Sequence, residues 1–373
     1  MDEIGIGVIG TGFMGKAHAL AWTTVHAVYP ELPRPVLVAV ADNVASAARA
    51  AAAQYGFRDW REDWRSVVED PAVHAVSITA PNLLHHDMAV AAARAGKHIH
   101  CEKPLAPDAA TALRMVQAAE AVGVVTQVGF NYQKNPLIRL ARDMIAAGEL
   151  GDILSFRAQH AEGFMADPDT PWGWRLDPAG GPGALADLGS HAIAMGRYLL
   201  GPIESLSADL QTVIASRPVG PGARERRAVE VDDVARLTVR FARGCGGLIE
   251  ANWVATGRTM QLGFEVSGTK GSIAFTQERL NELHLFRAGA DPLTSGFTRI
   301  EAGPRHEPYG RFCVAPGHQL GFNELKTIEM AGFLSAIAGG ERTGPDFREA
   351  WEVQKVIDAA VESSRERAWR PVG

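Results

Sequence analysis

Up to about Gly129 the chain alternates short β-branched runs with helix-patterned stretches. That alternation restricts the fold more than any other feature. Ile4 to Ile9 reads as a strand, residues 13 to 29 as a helix, Val36 to Ala41 as a second strand and 44 to 55 as an Ala-rich helix. Three further strands follow at Val73 to Ala80, His98 to Cys101 and Val124 to Gly129, with helices at 84 to 95 and 108 to 122 between them. Gly96 is placed to end one helix and Asp108 to cap the next. Strands joined through helices imply right-handed crossovers and a parallel sheet. The run Val-Leu-Val-Ala-Val-Ala is apolar on both faces, as a strand covered on both sides must be.

Beyond Asn131 the texture changes. One helix, 135 to 147, precedes closely spaced strand-like stretches at 153–161, 203–214, 234–241, 247–254, 260–267, 272–275 and 283–287. Glycine-rich turns between them predict a largely antiparallel sheet of hairpins. Residues 216 to 230, rich in Pro, Gly and Arg, read as an exposed loop whose Arg cluster is a solvated face. Two helices, 324–338 and 347–367, close the chain. A length of 373 residues fits two domains better than one. The net charge of −6 argues against nucleic-acid and anionic-membrane partners, which need a basic surface. No apolar run reaches the length of a membrane span. The acidic opening Met-Asp-Glu lacks the basic region of a signal peptide. Three widely separated cysteines (Cys101, Cys245, Cys313) make neither a disulfide framework nor a metal cluster, and they suit a cytoplasmic location.

Two overlapping G-x-G-x-x-G strings open the chain. Only the second, Gly10, Gly12 and Gly15, sits where a strand gives way to a helix. There Gly10 permits the tight turn, Gly12 lets a pyrophosphate approach the backbone, and Gly15 lets helix pack on strand. Asp42 ends the second strand, somewhat farther along than the about 20 residues usual for a ribose-binding carboxylate. The connection from Ala27 to Pro35 accounts for the excess. A carboxylate there favours NAD over NADP, since it repels a 2′-phosphate. Asp42 is equally placed to cap the following helix. Polar residues also follow the third, fourth and fifth strands, at Pro81-Asn82 with His85, at Glu102-Lys103-Pro104 and at Asn131-Tyr132. Ligands of an open parallel sheet bind beyond these strand ends. His86 and His98 read as structural. In the second half, Asp187 and His191 are four apart, so a helix would put them on one face. A carboxylate that orients an imidazole makes a general base; an N-cap Asp and a packed His would look the same. Trp172, Trp174 and Arg175 lie just upstream, suited to stacking on a sugar ring or to core packing.

Taken together, GTGFMGKAH at the first turn, TAPNLLHHDMAVAAARAGKHIHCEKPL and GALADLGSHAIAMGRYLLG resemble the Gfo/Idh/MocA oxidoreductases, the family of glucose–fructose oxidoreductase and inositol dehydrogenases. The resemblance covers nearly the whole chain. It implies an α/β fold: an N-terminal Rossmann doubly wound parallel sheet plus a C-terminal α/β domain with a large, mostly antiparallel open sheet, through which a homodimer or homotetramer would form. The expected boundaries are 1–126 for the NAD-binding domain, 127–345 for substrate binding and oligomerisation, and 346–373 for a helix returning to the first domain. The implied activity is hydride transfer between NAD and a secondary hydroxyl of a sugar, anhydrosugar or cyclitol. Lys103, Asp187 and His191 match the family's catalytic lysine and its D-x-x-x-H pair. Cofactor contacts would come from Gly10, Gly12, Phe13, Met14, Gly15, Asp42, Pro81, Asn82, His85, Glu102 and Lys103. Substrate, bound between the domains, would meet Lys103, Tyr132, Trp172, Trp174, Arg175, Asp187 and His191. The residues leave open whether Lys103 or His191 takes the proton first. The segment DPDTPWGWRLDP with FNYQKNP is similar to the branch of inositol, levoglucosan and related sugar dehydrogenases. No metal site is expected. Two rivals are a hydrolase of the same family shape that uses NAD transiently to cleave glycosides, and a redox-silent NAD-binding sensor. Loss of Lys103 or of the Asp–His pair would mark the sensor, and all three residues are present.

Overall fold

The computed structural model describes residues 2–289 and 291–373. Met1, where the expected first domain begins, and Ala290, inside the expected second, lie outside the described residues. The chain divides into two compact units. The first comprises Met1–Lys134 and Leu320–Glu352, the second Asn135–Gln319 and Val353–Gly373.

In the first unit β1 (Glu3–Ile9), α1 (Phe13–Val28), β2 (Arg34–Ala41), α2 (Ala45–Tyr55), β3 (Asp59–Arg61), α3 (Arg65–Val68), β4 (Ala75–Ile78), α4 (His85–Arg94), β5 (His98–Cys101), α5 (Ala109–Val122) and β6 (Thr126–Val128) follow in order. The six strands are all parallel, in the spatial order β3-β2-β1-β4-β5-β6. The order reverses between β1 and β4, the switch point at which such sheets take ligands. Ile4, Ile6, Val40, Val76, Ile78 and Ile99 are buried as strands covered on both faces should be. Asp108 caps α5 by accepting from the Thr111 N–H at 2.6 Å. His98 accepts from the Val125 N–H at 3.0 Å, a structural role as read from the sequence. The three-residue β3 and the single-turn α3 were not anticipated; a short, polar edge strand has no periodic signal.

In the second unit α6 (Pro136–Ala146) and β7 (Ile153–Ala161) lead to a π-helical turn at Leu185–Gly189 and α7 (Ser190–Leu200). Then come β8 (Ile203–Gln211), β9 (Ser216–Pro218), β10 (Arg226–Ala228), β11 (Val234–Phe241), β12 (Gly246–Asn252), β13 (Gln261–Gly268), β14 (Gly271–Thr276), β15 (Glu282–Arg287) and β16 (Thr298–Glu301). After α8 (Phe322–Ile337) and α9 (Phe347–Glu366), a two-residue β17 (Arg370–Pro371) pairs with β8. The large sheet runs β16-β15-β14-β13-β7-β12-β11-β8-β17, antiparallel except for the β7–β12 pair. Helix α7 packs on β7, β12 and β13.

Two expectations need correction. The return to the first unit begins at Leu320 rather than at residue 346, and it ends at Glu352. Helix α8 is therefore part of the Rossmann unit: Phe333 packs against Trp22 and His100, and Lys326 reaches Glu102. Helix α9 is shared along its length, since only its first turns belong to the first unit. The supposed solvated loop at 216–230 contains the β9–β10 hairpin. Arg217 departs from the expected solvated face, being fully buried and donating to the carbonyls of Met165 and Asp167, whereas Arg224, Arg226 and Arg227 are exposed, with Arg226 also binding Asp169 and the Pro168 carbonyl.

Candidate active site

The turn from β1 to α1 is compressed by two glycines and left open by a third. Gly10 has φ +99°, and its N–H donates to the Ala41 carbonyl at 2.8 Å. A Cβ on Gly15 would stand 2.1 Å from the Gly10 carbonyl oxygen, whereas one on Gly12 would meet nothing within 4 Å. The helix start supplies N–H groups without intrahelical acceptors, and the space over Gly12 admits a pyrophosphate against them. The residues present therefore fit a dinucleotide. Phe13, 74% exposed, projects from the first turn and stacks on Phe322 of α8 with centroids 5.7 Å apart. Tyr132 lies 6.3 Å from the same ring. Phe322 had no sequence signal, because its partners are remote in the chain.

Asp42 is tied to this turn. Its carboxylate accepts from the Thr11 N–H (2.9 Å), the Thr11 hydroxyl (2.6 Å) and the Val44 N–H (2.9 Å). The N-cap of α2 is Val44, which makes no side-chain cap hydrogen bond of its own; Asp42 bonds the backbone N–H of that residue rather than those of the first helical turn.

Lys103 is half-buried just past β5, and its peptide bond to Pro104 is cis. Beside it, two expected cofactor contacts prove to be engaged elsewhere. The His85 ring is buried between the loops after β4 and β5, with Nε2 2.8 Å from the Ala80 carbonyl and Nδ1 3.0 Å from that of Pro104. Burial pushes its pKa down against the opposing pull of those carbonyls. It is a strut under the loops that carry Pro81, Asn82 and Lys103. The Glu102 carboxylate is turned inward, where Oε1 accepts from His18 Nε2 (2.8 Å) and Lys326 Nζ (2.9 Å). Burial alone would raise its pKa; the Lys326 charge and the His18 hydrogen bond hold it well below the usual range.

In the second unit the glycine run before Asp187 has a structural cause. A Cβ on Gly183 would lie 2.2 Å from the Asp232 carbonyl oxygen and 2.8 Å from the Trp253 indole. The Asp232 carboxylate accepts from the N–H groups of Gly183 and Leu185, both at 2.8 Å, and so holds the start of the π-turn. Burial raises its pKa to about 6. The π-turn carries Asp187, and α7 follows with His191, which is 6% exposed. π-turns of this kind recur at functional sites. Asp187 accepts from Arg175 Nε at 3.0 Å, and the Arg175 guanidinium lies 4.3 Å from the Trp174 ring centroid. Arg175, an expected substrate contact, is thus also a partner of Asp187, the expected catalytic carboxylate. The Trp172 ring is covered by Arg227 at 3.6 Å, which occupies a face expected to stack on sugar. His160 of β7 was missed: its ring stands 5.5 Å from that of His191, between the Leu188 carbonyl and Glu162, each at 3.0 Å. A histidine on a strand carries no motif by itself.

Residues 4–130 match the model of an oxidoreductase family with an NAD-binding Rossmann fold, and residues 138–274 that of the GFO/IDH/MocA C-terminal domain. The chain is 39% identical to levoglucosan dehydrogenase of Pseudarthrobacter phenanthrenivorans, over 99% of this chain and 98% of that one. It is 27% identical to the NAD(+)-dependent scyllo-inositol 2-dehydrogenase of Bacillus subtilis, over 91% and 87%. A solved levoglucosan dehydrogenase in complex with NADH and levoglucosan superposes with a TM-score of 0.95 at 40% identity, covering 99% of each chain. An inositol dehydrogenase homologue from Azotobacter vinelandii, complexed with NADH and myo-inositol, superposes at 0.83 with 25% identity, covering 99% and 98%.

Proposed function

The chain belongs to the Gfo/Idh/MocA family of NAD-dependent oxidoreductases, and from that membership we propose that it oxidises a secondary hydroxyl of an anhydrosugar, sugar or cyclitol. The observation that carries the reading is the retention of Lys103, Asp187 and His191 in a chain whose relatives along nearly the full length are a levoglucosan and an inositol dehydrogenase. NAD, when bound, would supply the acceptor for the hydride of the carbinol carbon. The turn from Gly10 to Gly15 would hold its pyrophosphate, with Phe13 and Met14 at the helix start, Asp42 would take the ribose hydroxyls, and Pro81 and Asn82 would serve the nicotinamide end. His191 accepts the hydroxyl proton at an imidazole nitrogen, and Asp187 balances the charge that develops on it. The Lys103 ammonium hydrogen-bonds the substrate oxygen and stabilises its negative charge as the C=O bond forms. Tyr132, Trp174 and Arg175 bind the ring and hydroxyls. The named relatives leave the hydrolase and sensor rivals without support.

The test is an NADH-formation screen over anhydrosugars, sugars and cyclitols, repeated with Lys103→Ala and His191→Ala. Each variant should lose about 10²–10⁴-fold in turnover while NADH binding by fluorescence titration is retained. Full turnover in either would remove that residue from the mechanism.

A homo-oligomer is proposed as well, formed through the sheet of the second unit. On the face opposite α7, Leu248 stands half exposed beside a shallow depression lined by Arg157, Gln159, Glu265 and His284. Sedimentation velocity should give a dimer or tetramer, and Leu248→Glu should shift it toward monomer. A monomeric wild-type protein would end the idea.

A further inference from the structure

Five ionisable side chains are buried together in the first unit, and the chemistry proposed above uses none of them. Lys326 Nζ lies 2.9 Å from Glu102 Oε1 and 2.6 Å from Glu329 Oε2. His18 Nε2 is 2.8 Å from the same Glu102 oxygen, and His100 Nε2 is 3.3 Å from Glu329. All are 0–6% exposed at the side chain. Burial and the Lys326 charge press the His18 pKa down to about 4, so its ring is neutral at pH 7 and donates from Nε2 to Glu102. Lys326 is therefore the charge that balances Glu102.

Glu102 is the residue before Lys103. Its second carboxylate oxygen faces the Lys103 backbone N–H at 3.3 Å. Behind it the space is closed, because a Cβ on Gly129 would fall 2.5 Å from that carboxylate. The lysine backbone is thus seated on a carboxylate that cannot rotate away, and whose own position is set from α8. An ion pair this deep is a poor source of net stability, since desolvation offsets the attraction. Its place beside Lys103 calls for another reason.

We propose that Lys326 is a positioning residue for Lys103, acting through the Glu102 carboxylate. This rests on the reading of Lys103 as the group that binds the substrate oxygen. Lys326 touches neither substrate nor cofactor; it fixes the carboxylate on which the Lys103 backbone is seated. Misplacing a reacting group by about 1 Å costs on the order of 10²-fold in rate, so the effect falls on kcat rather than on binding.

The experiment compares Lys326→Met, which strands the buried Glu102 and Glu329 carboxylates, with the combined variant Glu102→Gln/Lys326→Met/Glu329→Gln, which removes all three charges. Lys103→Ala is run beside them. The combined variant should melt near the wild-type temperature and bind NADH with unchanged affinity. Its substrate KM should stay within about twofold while kcat falls about 10²-fold. Lys326→Met should lose kcat and thermal stability together. A purely structural cluster predicts the opposite, with turnover returning once stability returns. Wild-type kcat in the combined variant overturns the inference, as does its failure to fold, which would make the cluster a prop of the fold. If Lys103→Ala itself keeps full turnover, the reading of Lys103 fails rather than the link to Lys326.

Discussion

Asp42 is held by the glycine turn that it is proposed to serve. Its oxygens already receive two bonds from Thr11 and one from Val44, so its charge is fixed beside the phosphate-binding turn before any cofactor arrives. Asp42→Asn keeps the shape and an acceptor for Thr11 but removes the charge proposed to repel a 2′-phosphate. Steady-state kinetics should then show the NADP/NAD ratio of kcat/KM rising by about tenfold or more, since a charged hydrogen bond contributes about 1.5–3 kcal/mol. An unchanged ratio would assign cofactor choice to another residue. Asp42 was legible because the glycine turn and the end of β2 announce it. Lys326 and Glu329 were not: a Lys and a Glu three apart on a helix look like an exposed pair, and only the fold reveals that their partners are Glu102 and His100.

The elements most readily read were those with a strict period. The bounds 153–161 and 234–241 agree with β7 and β11, whose residues alternate between buried and exposed. What escaped was structure set by side chains from afar. The turn at Leu185–Gly189 is π-helical, a departure with no mark in the pattern Ala-Leu-Ala-Asp-Leu-Gly, and its start is held by Asp232, which lies beyond β10. Asp232→Asn places an amide N–H against one of the two backbone donors. It should cost about 1–3 kcal/mol in urea unfolding and lower turnover by disturbing Asp187. Unaltered stability and turnover would show that the π-turn holds itself.

At the scale of the whole molecule, the two units should answer acid with opposite signs. In the first, His18 titrates near 4 against an ordinary 6.5. The unfolded chain therefore binds the extra proton, and stability of about 3 kcal/mol is lost as pH falls from 6.5 to 4. Glu102 and Glu329, held below the usual 4.5, add to that loss at still lower pH. In the second unit, Asp232 titrates near 6 against 3.8, so the folded form binds the proton first and that unit is favoured as pH falls through the same window. Hydrogen exchange followed by mass spectrometry from pH 7 to 4.5, corrected for intrinsic rates, should show protection falling in residues 2–134 relative to 135–319. Parallel changes in both units would contradict the assignment.

The first unit is also assembled from two separate segments, with all of Asn135–Gln319 between them. A ribosome releases Glu102 and His18 long before Lys326. Until α8 emerges, the nascent Rossmann sheet lacks both the cation for its central carboxylate and the Phe333 that packs against Trp22. Synthesis from the N-terminus ordinarily lets a first domain finish early. Here the lysine-bearing half lacks the partner of Glu102 until the intervening unit has been translated.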